Sequence, residues 1–165
     1  MILLVVMRFD GGDGPLTHSH KPFYRTVSHN GGRSWTQATP IHNAGSARPR
    51  LLCMGDVMLL SGGRRFGFNG FSNGWDARVW ASTDPAGEAW EDYSISNHHN
   101  LGVHEFLNSS FAYLPKVNTT EWLWGTTSYT SLVRLDDRRA LIAYDMEDPV
   151  HASFSMEITV ASLMG

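Results

Sequence analysis

Eight histidines are the first residues in this chain whose type suggests chemistry, notably His98-His99 and His104-Glu105. Their spacings match no established ligand pattern, so no zinc site is expected. Acyl transfer, phosphate binding and dithiol redox also lack their signatures: there is no Gly-x-Ser-x-Gly, no phosphate loop and no Cys-x-x-Cys. No cofactor is expected. What remains is a tyrosine opening a strand-like run, Tyr129 in SYTSL, and arginines that close apolar runs. On their own these are most simply a packed aromatic with a bonded hydroxyl, and solvated strand ends or partners for nearby aspartates.

The elements that position them are marked by two turns. Ser28-His29-Asn30-Gly31-Gly32-Arg33-Ser34-Trp35 lies between two strand-like runs, RTV and TQATPI. Adjacent glycines admit positive φ, and the tryptophan can fold back over the turn. Ser82-Thr83-Asp84-Pro85-Ala86-Gly87-Glu88-Ala89-Trp90 repeats the pattern with one extra residue before the glycine. The preceding residues align as well. ILLVVMR ends at Arg8, twenty residues before Ser28, and VMLLSGGR ends at Arg64, eighteen residues before Ser82. RALIAYD at 139–145 opens a third copy, followed by ASFSMEITVAS. Each of the first two copies is an apolar strand, a loop, a second strand, the turn and a short third strand, whereas the third has no turn motif before Gly165. Small antiparallel sheets repeated in this way suggest propeller blades.

Between the second and third copies, 96–127 reads as a loop-rich insertion carrying one or two strands, FAYL and EWLWG. It also holds two Asn-x-Ser/Thr sequons, at Asn108 and Asn118, which carry weight only in a secreted chain. Beyond it, SYTSLVRLDDRRALIAYD reads as a hairpin turning at Asp136-Asp137-Arg138-Arg139. No window carries a sustained helical apolar stripe. The expectation is an all-β fold of about three four-stranded antiparallel blades, at approximately 1–45, 46–95 and 110–165.

Composition agrees with one globular domain: 165 residues, 42% hydrophobic, 12% aromatic, with sixteen glycines. A net charge of -3 argues against a nucleic acid or an anionic membrane as partner. The single cysteine, Cys53, excludes an internal disulfide and leaves the compartment open. MILLVVM is too short to span a bilayer and lacks the basic start of a signal peptide, so it reads as a buried strand. A chain opening in mid-strand raises the expectation of an upstream part.

With these motifs in hand, the chain resembles the sialidase (neuraminidase) superfamily. Its propeller blades carry the Asp-box, Ser-x-Asp-x-Gly-x-x-Trp. The boxes here are SHNGGRSW, with Asn30 for the aspartate, and STDPAGEAW, with one extra residue. Box residues Ser28, Asn30, Gly32 and Trp35, then Ser82, Asp84, Gly87 and Trp90, are structural in that resemblance. The order of features is the more telling match. An arginine-ended strand, a box, RPRLL…LLSGGR, a second box and SYTSL…LIAYD resemble the C-terminal half of a six-bladed sialidase propeller.

The resemblance implies exo-hydrolysis of a terminal sialic acid or related acidic sugar. Tyr129 takes the place of the nucleophilic tyrosine, whose phenol, with a pKa of about 10, needs a neighbouring base. Such tyrosine nucleophiles are exceptions to the two-carboxylate pattern of glycosidases. Arg8 and Arg64 resemble two of three arginines that clamp the sugar carboxylate, since a guanidinium fork matches a carboxylate bidentately. Arg65 is the alternative to Arg64. Asp13, in GDGP, stands for the acid only if its blade is the first; Glu105 is the one in-chain substitute for the family's glutamate. On this alignment the remaining partners lie in N-terminal blades or on another chain that closes the ring, and the chain alone is expected to be inactive. The rival is a non-catalytic Asp-box propeller that binds glycans or proteins, favoured by Asn30 and by Asp145 where the family has glutamate.

Overall fold

The structure, a computed structural model, describes residues 2–8, 22–45, 48–66, 74–95, 98–99, 129–146 and 152–160. These residues form three antiparallel sheets, each with its strands in simple sequential order. The all-β expectation holds. None of the sheets is closed on itself.

The first sheet comprises β1 (Leu3–Met7), β2 (Pro22–Ser28) and β3 (Thr39–Gly45). The second has four strands: β4 (Arg50–Met54), β5 (Val57–Phe66), β6 (Gly74–Ser82) and β7 (Glu91–Ser94). The third has β8 (Thr130–Arg134), β9 (Arg139–Met146) and β10 (Ala152–Thr159). The apolar opening run forms the strand β1, paired with β2 from Leu3↔Ser28 to Met7↔Tyr24, but it is half-buried rather than buried as expected, with Val5 exposed. The two-residue turn at Gly55, with φ +61, closes β4 onto β5. The Asp136–Arg139 hairpin also forms: Asp136 Oδ1 accepts from the amides of Arg138 and Arg139. Among the described residues the sheets have three, four and three strands, so only the second shows the expected four. The FAYL and EWLWG strands lie outside the described residues.

Packing follows from alternation along the central strands. Leu60 and Trp80 point from the second sheet towards the first, where they meet Phe23, Ile41 and Ala44. Phe23 stands edge-on to Trp80 with ring centroids 6.2 Å apart. Leu59, Ala77 and Val79, one residue out of phase, point the other way and pack with Ala140, Ile142 and Tyr144 of the third sheet. The middle sheet is therefore apolar on both faces. β10 alternates strictly, with Phe154, Met156 and Ile158 against the core and Ser153, Ser155, Glu157 and Thr159 exposed. No helix among the described residues is long and apolar enough to cross a membrane.

Candidate functional site

Register gives the stack two distinct ends. Ser28 lies opposite Leu3 at the start of β1, and Ser82 lies opposite Met58 near the start of β5. Thr159 lies opposite Arg139 at the start of β9. The three corresponding strands thus leave one turn-bearing end and run to the other. Contacts between sheets hold the same orientation. Leu4 lies against Gly87, and the Ser61 and Thr130 hydroxyls meet at 2.7 Å across a buried interface.

The turns owe their shape to hydrogen bonds that saturate their own backbone. In the first, Ser28 Oγ accepts from the amides of Asn30 and Gly32, and Asn30 Oδ1 accepts from the Ser34 amide at 2.9 Å. Gly31 and Gly32 take φ of +71 and +87, where a side chain would be strained. In the second, Asp84 accepts from the amides of Ala86 at 2.9 Å and Glu88 at 2.7 Å. Those two amides, aided by the nearby Arg25 cation, hold its carboxyl below the usual range. Each tryptophan folds back as its spacing predicts: Trp35 Nε1 donates to Gly32 O and Trp90 Nε1 to Gly87 O. Every box residue is thus occupied with its own turn.

The second turn is also a joint. Arg25, on β2 of the first sheet, donates to Ala86 O at 2.8 Å and to Glu88 Oε1 at 3.0 Å. The sequence gives no sign of this contact, because its partners lie 61 and 63 residues apart. In the first turn Trp35 remains 43% exposed.

The opposite end carries the tyrosine. Tyr129 precedes β8, is 46% exposed, and lies beneath Arg48, whose guanidinium carbon is 5.7 Å from the ring centroid. A cation over an aromatic face at this range is attractive. From sequence, Arg48-Pro49-Arg50 reads as a solvated basic spot, so Arg48 is the residue that sequence reasoning missed. Its one signal is its place two residues before β4, close to a strand start as Tyr129 is before β8.

Arg8 follows the last residue of β1 at this same end and is half-buried. Arg64 and Arg65 lie within β5 rather than at its end, in register with Asp76 and Trp75. The ladder continues through Gly62 and Gly63 because β6 supplies partners up to Gly74. Counted from the residues opposite the box serines, Arg8 is five positions beyond Leu3 and Arg64 six beyond Met58. Gly63, not Arg64, therefore corresponds in register to Arg8. Asp13 and Glu105 lie outside the described residues.

Comparison with family models, with curated proteins and with solved structures returned no match to this chain. Its site is read from its own geometry.

Two further candidates resolve into the core. Tyr144 is 7% exposed, and its hydroxyl is 2.9 Å from His99 Nδ1. Burial pushes the phenol up to about 12. His99 also packs edge-on against Phe154, with centroids 4.5 Å apart, whereas its neighbour His98 is exposed. Among the described residues no group of three His, Cys, Asp or Glu side chains is placed to hold a metal ion.

Proposed function

We propose that this chain forms part of a six-bladed propeller of the sialidase type and acts on a terminal acidic sugar. The observation that carries the reading is the polarity of the stack. Three consecutive meanders pack face to face, the two box turns are confined to one end, and an exposed tyrosine lies under a cation at the other. That is the division of labour a propeller glycosidase needs: turns that hold the blades, and strand ends that present chemistry.

In this reading Tyr129 Oη attacks the anomeric carbon, the glycosidic bond breaks, and the leaving oxygen takes a proton. A glycosyl-tyrosine forms and water then hydrolyses it. Arg8 and Arg64 hold the substrate carboxylate, with Arg65 the alternative to Arg64 given the register offset between them. Arg48 fixes the plane of the Tyr129 ring. The step also requires a carboxylic acid to protonate the leaving oxygen and a carboxylate base to take the Tyr129 proton.

The test is release of the fluorophore from a fluorogenic sialoside by protein that includes any residues encoded upstream of Met1. Turnover that disappears in Tyr129→Phe supports the reading. No release by either protein, with binding to sialylated glycans unchanged by Tyr129→Phe, leaves a non-catalytic glycan-binding propeller instead.

A further inference from the structure

A cleft of ≈ 850 Å³ opens between the second and third sheets at the turn-bearing end, away from Tyr129. Its walls are aliphatic: Val57 and Ala81 on one side, Met156, Ile158 and Val160 on the other. This volume falls within the range of about 300–1,000 Å³ typical of small-molecule sites. Its rim comes from β7. Cross-strand pairing sets Tyr93 beside Val79 and Glu91 beside Ala81, so both share the face that looks towards the third sheet. Asp92, paired with Trp80, belongs to the other face, where it bonds Arg78 at 2.8 Å.

The rim has a definite chemistry. Tyr93 is 54% exposed and donates its hydroxyl to Glu91 Oε2 at 2.7 Å. An exposed ring face and an exposed carboxylate thus meet at the mouth of an apolar cleft. Among the described lining residues His98 is the one basic side chain, set against the carboxylates of Asp84, Glu91 and Glu157, and neither lysine nor arginine is present. An aromatic face next to a carboxylate attracts an ammonium group through both quadrupole and charge. A carboxylate or phosphate ligand would meet repulsion there.

We infer that this cleft binds a small hydrophobic amine, with the ammonium group between the Tyr93 ring and Glu91 and the apolar body between Ala81 and Ile158. The inference is independent of the glycosidase reading, since the cleft and Tyr129 lie at opposite ends of the stack.

Isothermal titration of the full chain with phenylbutylamine, and separately with phenylbutyrate, tests it. The two probes share an apolar body and differ in the sign of charge. The amine is expected to bind saturably at one site, and the carboxylate at least about tenfold more weakly. Glu91→Gln, at an exposed position, abolishes that preference, and Tyr93→Leu weakens the amine while leaving the carboxylate unchanged. Glu88→Gln, outside the cleft, alters neither. Equal affinity for the two probes, no saturable binding of the amine, or a preference that survives Glu91→Gln overturns the inference.

Discussion

Asn30 and Asp84 occupy the same place in two successive turns, yet they satisfy them differently. Asn30 accepts at one oxygen from the Ser34 amide and gives its amide nitrogen to Ser34 Oγ at 2.7 Å. Asp84 uses both oxygens as acceptors, from two separate backbone amides.

The two substitutions that exchange these residues are therefore unequal. Asp84→Asn places an N–H donor against a backbone N–H donor and loses one bond, costing about 1–2 kcal/mol. Asn30→Asp keeps the acceptor, and the Ser34 hydroxyl can reverse its role, so the cost stays below about 0.5 kcal/mol. Urea unfolding of the two variants measures the difference; equal losses would show that the second carboxylate oxygen contributes nothing.

The joint between the first two sheets depends on the backbone contact more than on the ion pair. Arg25 is 15% exposed and Glu88 69% exposed, so solvent screens their attraction. Arg25→Ala is expected to cost about 1.5–3 kcal/mol through the lost charged bond to Ala86 O. Glu88→Gln should cost no more than about 0.5 kcal/mol. The unfolding midpoints of the two variants rank the contributions, and a larger loss in Glu88→Gln would reverse them.

Glycine is required twice over at Gly87. Its φ is +63, and a Cβ there would lie 2.9 Å from Leu4 Cδ2 and 3.1 Å from the Trp90 ring. Gly55 has a similar φ of +61 but nothing within 4 Å. Gly55→Ala carries the conformational cost alone, about 1 kcal/mol, whereas Gly87→Ala adds overpacking of about 1 kcal/mol or more. Thermal melts of both variants give the comparison, and matching shifts would mean that Leu4 yields freely.

Alkaline pH weakens the core through Tyr144. Its folded pKa is raised to about 12 from 10 in the unfolded chain, so the protonated phenol is favoured by folding. That stability is fully present below pH 10 and is lost as pH rises towards 12, reaching on the order of 2 kcal/mol. Tyr144→Phe removes this dependence. Unfolding at several pH values across that window, followed beside phenolate absorbance, checks it; an unchanged slope in the variant would assign the loss elsewhere.

Local grammar made much of this fold legible. The glycine-rich turns with returning tryptophans mark both hairpins, β1 is visible as an apolar run, and Asp136–Arg139 reads as a turn because its aspartate caps its own backbone. Relations between sheets were not legible. Arg25 reaches a turn in the next repeat, and Arg48 covers a ring that begins another sheet. Neither contact has a period or a neighbouring residue to announce it. The offset between Arg8 and Arg64 is of the same kind. Spacing to the next serine includes the length of a loop, whereas strand pairing does not, so alignment by count put side by side two residues that differ by one step in register.

The doubly apolar middle sheet has a thermodynamic consequence. Leu60 and Trp80 belong to one cluster and Leu59 and Val79 to the other, so adjacent residues of the same strands serve as walls of both. The outer sheets can fray separately, each exposing one cluster, but the middle one cannot open without dissolving both. Cooperativity in this protein is thus carried by a four-stranded hub, whose β5 and β6 amides open only through global unfolding and therefore exchange last.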